Sequence, residues 1–208
     1  MDNGFGKFEI TPNSVSAAAI LSSISMEDLQ VLMEENSSLR GYIQGYLAEM
    51  MLKRKLLSVE GVTSVEKIPD RHTDKGDFRI VYRDVPITME VKSIATSSIK
   101  SDSLNETWEG KVIVKNTDRR LIEVDGLGSV TNTNLIKGEF DILAICCFAV
   151  RANWDFVFIE SQYLPEPDQL PGLVKTSFSI NPMLTPQLTF DPVKVLEAVR
   201  KKKQHGFC

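Results

Sequence analysis

The first third of the chain carries apolar side chains at helical spacing. Residues 14–24 are rich in alanine and predict a short helix. Ser25, followed three residues later by Asp28, is a weak form of the capping box and predicts a second helix over residues 26–35. A wide apolar face over residues 39–57 predicts a third, longer helix. Residues 1–12 show no such pattern and are expected to form a loose arm.

The pattern changes to that of β-strands after Gly61. Residues 77–82 and 87–91 flank a turn-like tetrapeptide, 83–86, and predict an antiparallel hairpin. A turn of that length places Tyr82 opposite Ile87 and Asp77 opposite Lys92. The other predicted strands are 62–68, 111–114 paired with 121–124, 140–150 buried on both faces, and 154–159.

A proline-rich stretch, residues 165–192, precedes a last predicted helix. Asp191 and Pro192 open that helix, and proline is tolerated in a first helical turn. The helix is expected to cover residues 192–203 and to end in three lysines. The order of elements, helices followed by strands and one final helix, indicates a mixed α/β (α+β) fold, and the length of 208 residues suits a single domain over residues 1–208.

Composition and charge exclude some classes of protein. Apolar residues make up 42% and charged residues 25% of the chain, as in an ordinary globular protein. The net charge of −4 argues against a nonspecific nucleic-acid coat protein, but not against a DNA enzyme whose metal-binding carboxylates also count as acids. The longest apolar run is too short for a membrane helix, and the N-terminus shows no signal pattern. We therefore expect a cytoplasmic protein without a membrane partner.

The cysteines and histidines argue against two kinds of site. There are 3 cysteines and 2 histidines, with no Cys-x-x-Cys pair, so a zinc site is not expected. Adjacent Cys146 and Cys147 are expected to pack in a reduced interior. The scarcity of histidine also argues against Ser-His-Asp catalysis.

One segment combines acids and a lysine on a single strand face. Asp77 opens the predicted hairpin, and Glu90 and Lys92 close it, so all three converge at its open end. Two carboxylates suit Mg²⁺, which prefers oxygen ligands. Lys92 would orient or deprotonate an attacking water, or stabilise developing charge. The alternatives are a plain surface ion pair between Asp77 and Lys92, and Asp70 or Asp74 in place of Asp77.

The spacing of Asp77, Glu90, Val91 and Lys92 resembles the active-site motif of the PD-(D/E)XK nuclease superfamily, which includes many type II restriction endonucleases. The resemblance extends over residues 40–42, 45–49, 75–77, 90–93, 118–120 and 138–143. It implies a restriction-endonuclease-like fold, in which a central mixed β-sheet carries a catalytic hairpin and is flanked by helices. It further implies a Mg²⁺-dependent endonuclease acting on double-stranded DNA, in which Asp77 and Glu90 bind the metal and Lys92 is catalytic.

The same resemblance marks further residues. Glu49 matches an accessory acid on the helix before the hairpin; the alternative is an exposed helix glutamate. The DNA-binding candidates are Lys111, Lys115, Arg119, Arg120 and Lys137. Cleavage of both strands of a symmetric site favours a homodimer.

The chain departs from the superfamily pattern between Ser93 and Gly138, where no long helix is evident. Either a short helix lies at 97–104 or 131–136, or other structure decorates the core. The rival functions are a catalytically inactive module that binds DNA or protein, and a nuclease of repair or phage type.

Overall fold

The computed structural model describes residues 17–69, 75–102, 107–114, 120–124, 128–168, 170–183 and 185–206. The chain divides into two compact units, Met1–Gln44 and Gly45–Cys208. The single domain predicted for the whole chain stays a prediction. The predicted loose arm, residues 1–12, lies outside the described residues.

The first unit is helical in its described part. It contains α1 (Ala17–Ser22), α2 (Met26–Glu35) and the beginning of α3 (Ser37–Leu57). The Ser25 hydroxyl accepts the Asp28 N–H at 3.0 Å and donates to the Asp28 carboxylate at 2.8 Å, which confirms the predicted cap. No residue of α2 is buried.

The second unit holds the rest of α3 and the sheets. Its described elements are β1 (Val62–Lys67), β2 (Phe78–Tyr82), β3 (Val85–Ser93), β4 (Lys100–Asp102), β5 (Thr107–Ile113), β6 (Arg120–Val124), β7 (Gly128–Asn132), β8 (Ile142–Cys146), α4 (Phe148–Arg151), β9 (Phe156–Glu160), β10 (Ser177–Ile180) and α5 (Pro192–Gln204). Asp191 caps α5 by accepting the Val193 N–H at 2.8 Å, as its sequence predicted.

No described helix combines the length and apolarity needed to cross a membrane.

A five-stranded sheet in the order β1-β2-β3-β8-β9 forms the centre of the second unit. The β3–β8 pair is parallel and the other pairs are antiparallel, so the sheet is mixed. All five residues of β8 are buried, as expected for a central strand with a parallel neighbour. The predicted α/β fold class, with a central mixed sheet and flanking helices, is confirmed.

Two apolar cores cover the two faces of this sheet. On one face, Met89 and Val91 of β3 pack with side chains of α3 and α5, including Leu52 and Leu196. The second core joins alternate residues of β8 and β9 to the three-stranded sheet β10-β5-β4. Since strand residues alternate between faces, Glu90 lies on the face opposite to Met89 and Val91.

The hairpin turn differs from the predicted tetrapeptide. Arg83 and Asp84 form a two-residue turn with φ of 46° and 65°, and β3 begins at Val85. Left-handed conformation at both positions matches the twist of paired strands, which favours this short turn even without glycine. Phe78 therefore pairs with Met89, and Asp77 comes opposite Glu90 instead of Lys92. The shift is of two residues, so the predicted strand face is unchanged.

Two other strand predictions were wrong. Residues 111–114 do not pair with 121–124: β5 pairs with β4 and β10, whereas β6 pairs with β7. Residues 140–150 are not one strand, because Cys146 pairs with Phe156 and the chain must turn between them. The short helix α4 makes this turn, and Ala152, which follows it, has a φ of 49°.

The region between Ser93 and Gly138 contains no α-helix in its described residues. A 3-10 turn at Thr96–Ser98 is followed by β4, β5, β6 and β7. The sequence left open a short helix or other structure that decorates the core. The described residues show the second of these. The predicted burial of Cys146 and Cys147 as free thiols is confirmed, and burial raises the pKa of Cys147 to about 12.

Candidate active site

The open end of the hairpin forms because β3 is longer than β2. Beyond Met89, β3 pairs with β8 alone, and the chain before Phe78 leaves the sheet at Gly76. The Asp77 backbone N–H donates to the Met89 carbonyl at 2.8 Å. The Asp77 carboxylate accepts the Val91 N–H at 2.7 Å and so occupies the position where β2 would have continued. Asp77 is thus fixed at both its backbone and its side chain.

Glu90 and Lys92 follow on the same face of β3, beside apolar residues of β8. Glu90 pairs with Leu143 and Lys92 with Ile145, and both partners belong to the second core. Glu90 is only 7% exposed. The Lys92 ammonium donates to Glu90 Oε1 at 2.5 Å. The ion pair of Lys92 is therefore with Glu90 on its own strand, and the plain Asp77–Lys92 pair considered from the sequence is not formed.

The pKa values of this pair follow from burial and from neighbouring carboxylates. Burial raises the pKa of Glu90, and the charges of Asp77 and Glu49 add to the rise, while Lys92 opposes it. Burial by itself would lower the pKa of Lys92, but the negative charges of Glu90, Asp77 and Glu49 outweigh it, so that the pKa is raised. Both pKa values therefore lie above the ordinary ones, that of Glu90 because of burial and that of Lys92 because of the nearby carboxylates.

Glu49 lies on α3, which packs against the Met89 and Val91 face of the sheet, opposite to Glu90 and Lys92. It forms an ion pair with Lys67 at the end of β1, and the Lys67 ammonium lies 4.8 Å from the centre of the Tyr46 ring. The Glu49 side chain is 17% exposed, so it is not the exposed helix glutamate considered from the sequence. Its charge acts on both Glu90 and Lys92.

The predicted DNA-binding residues are only partly described. Lys111 is exposed on β5. Lys137 forms an ion pair with Glu166 at 2.6 Å and donates to the Gln162 carbonyl at 3.0 Å, which gives it structural partners. Arg120 begins β6. Lys115 and Arg119 lie outside the described residues, as do Asp70 and Asp74, the alternatives to Asp77.

The sequence patterns did not point to Lys67, nor to a second group, centred on Asp141, that fixes strand β3. The Asp141 carboxylate accepts the Thr88 N–H at 2.7 Å and the Lys203 ammonium at 2.7 Å. The Asp141 N–H in turn donates to the Thr88 carbonyl at 3.0 Å, so β3 and β8 are joined two residues before Glu90. The available signal was an acid directly before a wholly apolar strand, within the motif 138–143.

The donor atoms of Asp77 and Glu90 suit a hard divalent cation. Mg²⁺ is commonly bound through one or two carboxylates while it keeps several waters. No group of three or more His, Cys, Asp or Glu arranged to hold a metal occurs in the part of the chain that the structure describes. Asp77 and Glu90 are the two carboxylates on this face that could hold such a cation, and Lys92 contacts Glu90.

Comparison with known proteins adds little to this geometry. No family model and no curated protein match the sequence. A solved structure of a bacterial homing endonuclease is similar, with a TM-score of 0.37 and 20% sequence identity over 82% of this chain and 95% of the other. A likeness of that size assigns no activity to this chain.

Proposed function

We propose that this protein is a Mg²⁺-dependent endonuclease that hydrolyses phosphodiester bonds in double-stranded DNA. The observation that carries the proposal is the meeting of Asp77, Glu90 and Lys92 on one face at the open end of the hairpin. Asp77 is fixed by the Val91 N–H, and Glu90 and Lys92 by strand β8. Such fixed placement of charged groups is what a hydrolytic site requires.

Asp77 and Glu90 would hold Mg²⁺. When bound, the metal lowers the pKa of a coordinated water and offsets negative charge on the phosphate. The raised pKa of Lys92 keeps this lysine protonated near neutral pH. Of the roles considered for Lys92, orientation of the water and stabilisation of charge are therefore favoured over proton abstraction.

The proposal also covers the specificity of cleavage and the oligomeric state. The resemblance to restriction endonucleases supports cleavage at specific sites by an enzyme of type II character. A homodimer would present two such sites to the two strands of a palindromic sequence. Lys111, Lys115, Arg119, Arg120 and Lys137 remain the proposed phosphate contacts.

The test is cleavage of a panel of plasmid and phage DNAs with Mg²⁺ or with EDTA. We expect discrete fragments from the wild type with Mg²⁺ only. Glu90→Gln, which keeps the shape but not the charge, and Lys92→Met should each reduce cleavage by at least about 100-fold. Lys194→Met removes an exposed lysine from α5 and is the matched control, expected to cleave normally. Cleavage that survives in Glu90→Gln would refute the assignment.

The second candidate is a binding module without turnover. It is favoured by one observation, the direct contact of Lys92 with Glu90, which neutralises one of the two carboxylates. Such a module would retard DNA in a mobility-shift assay equally well with Mg²⁺ and with EDTA, and would leave the DNA intact across the whole panel.

A further inference from the structure

Helix α3 has two apolar faces, and only one of them is buried. Ala48, Leu52 and Leu56, spaced four residues apart, pack in the core that includes Met89 and Val91. The second face is a stripe of large apolar side chains, each between 36% and 65% exposed: Leu39, Tyr42, Tyr46, Met50 and Leu57. At 3.6 residues per turn these positions fall within about 80° of the helix circumference, so they form one row along α3.

A continuous apolar row of this kind is typical of a protein interface. Single apolar side chains on a surface are ordinary, whereas a contiguous set marks a place of interaction. Nucleic acid does not suit the row, because proteins hold the phosphate backbone mainly through basic and polar groups. The chemistry of the stripe therefore calls for another apolar protein surface.

The stripe is complementary to itself when a second copy of the helix is reversed. Leu39 and Leu57 are equally far from Ala48 in sequence, as are Tyr46 and Met50. A two-fold axis at the level of Ala48 therefore brings Leu39 to the partner's Leu57 and Tyr46 to the partner's Met50. Both pairs are apolar, and contacts between methionine sulfur and an aromatic ring are favourable.

The charges at the two ends of α3 favour the same reversed arrangement. Glu34 and Glu35 end α2 just before α3 begins, and no basic residue lies in the last turn of α2 to balance them. Arg54 and Lys55 lie in the last turn of α3. A reversed partner brings opposite charges to the same end, whereas a parallel partner would bring like charges together. Reversal also places Tyr42 opposite the partner's Arg54, a pairing that suits a cation–π contact.

We propose that the exposed stripe of α3 joins two copies of this chain, with the two helices antiparallel about a two-fold axis at the level of Ala48. The inference rests on the homodimer included in the proposed function, and it deepens that proposal by assigning the contact surface. A second copy is the occupant because the reversed helix itself matches both the apolar row and the charges at its ends.

Sedimentation equilibrium of the full chain, without DNA or metal, measures this association directly. We expect the wild type to dimerise. Met50→Glu should raise the dissociation constant of the dimer at least about 100-fold, because it places a charge without a partner in the contact. Met183→Glu is the matched control, since it makes the same change at an exposed methionine outside α3, and it should dimerise like the wild type. Circular dichroism establishes that both variants are folded.

Paired cysteines test the direction of the helices. Every variant carries Cys208→Ser, and Cys146 and Cys147 are buried, so that the introduced thiols are the ones that react. Leu39→Cys combined with Leu57→Cys should give a covalent dimer on oxidation. These two positions lie about 27 Å apart on one helix, too far for a disulfide within a single chain. Each single variant should stay free of crosslinks.

The outcomes separate this inference from the proposed activity. A monomeric wild type, or a dimer unaffected by Met50→Glu, would overturn the inference, because something other than a second copy would then cover the stripe. A crosslink in Leu39→Cys by itself would overturn the antiparallel arrangement, and the cysteine pair decides the question if Met50→Glu does not fold. A dimer that depends on Met50 but cleaves no DNA would support this inference and contradict the nuclease, whereas Mg²⁺-dependent cleavage by a monomer would do the reverse.

Discussion

At the scale of single residues, the protonation of Glu90 is expected to make the stability of the protein depend on pH. Its folded-state pKa is raised by burial above the value of about 4.3 expected in an unfolded chain. In the interval between these two values the folded protein binds the proton more tightly than the unfolded one. The contribution of Glu90 to stability is therefore fully present below about pH 4 and is lost as pH rises through the folded-state pKa.

The prediction is a pH-dependent difference between wild type and Glu90→Gln. Urea unfolding at a series of pH values should show the wild type losing stability relative to Glu90→Gln as pH increases from about 4. Lys92 opposes the rise in the pKa of Glu90, so Lys92→Met should raise that pKa further. The loss of stability with increasing pH should therefore extend to higher pH in Lys92→Met than in the wild type. A difference that does not change with pH would contradict the assigned environment of Glu90.

Gly76 is a second residue whose identity is dictated by the site. Its φ of +92° is unfavourable for other residues, and a Cβ atom would lie 3.0 Å from the Met89 carbonyl oxygen, which accepts the Asp77 N–H. Gly76→Ala should cost about 1–3 kcal/mol of unfolding free energy and should also weaken cleavage by displacing Asp77.

Gly45→Ala is the matched control for this substitution. Gly45 lies inside α3, where an added Cβ meets nothing within 4 Å. The same change there should stabilise the protein by about 0.5–1 kcal/mol. Urea denaturation measures the change in unfolding free energy of each variant, which should be a loss in Gly76→Ala and a gain in Gly45→Ala. Equal changes in the two variants would mean that the fold does not require the positive φ of Gly76.

At the scale of elements, the placement of Glu90 depends on how β3 meets β8. Asp141 bonds to Thr88 through both its backbone and its carboxylate, and Lys203 of α5 bonds to the same carboxylate. This junction fixes the register of the parallel pair at its beginning, and Glu90 then lies beside Leu143. Lys203, one of the lysines at the end of α5, therefore connects that helix to the sheet.

Asp141→Asn should test the junction. We expect a loss of about 1–3 kcal/mol, because a charge-assisted hydrogen bond to Lys203 and good acceptor geometry toward Thr88 are both weakened. Lys203→Met should cost less, about 0–1 kcal/mol, since its ammonium is partly exposed. A double-mutant cycle measured by urea unfolding gives the coupling, and strictly additive effects would contradict a shared junction.

The elements also show what the sequence could and could not predict. Helices α2 and α5 were predicted closely because capping residues and apolar spacing are local signals. Asp77, Glu90 and Lys92 were placed on the correct strand face because a two-residue register error preserves strand parity, even though Asp77 was matched to Lys92. Pairing of β5 with β10 was missed because it joins Lys111 to Ser179, far apart in sequence and without any local signal. Lys67 was missed because its partner Glu49 lies on another element.

At the scale of the whole molecule, the two described apolar cores lie in the second unit. Both apolar cores consist of its residues, whereas α2 in the first unit buries none. The proposed metal site lies at the open end of the hairpin formed by β2 and β3. A cation that binds only the folded site should therefore be linked to the cooperative unfolding of the second unit.

Mg²⁺ should consequently raise the melting temperature of the full chain. At a concentration of 100 times its dissociation constant, a ligand that binds only the folded state contributes about 2.7 kcal/mol. For a protein of this size that corresponds to an increase of roughly 5–10 °C. Differential scanning calorimetry measures the shift, with KCl at equal ionic strength as the control for screening. Glu90→Gln should show no response to Mg²⁺ beyond that of KCl, whereas an equal shift in wild type and variant would place the cation elsewhere on the protein.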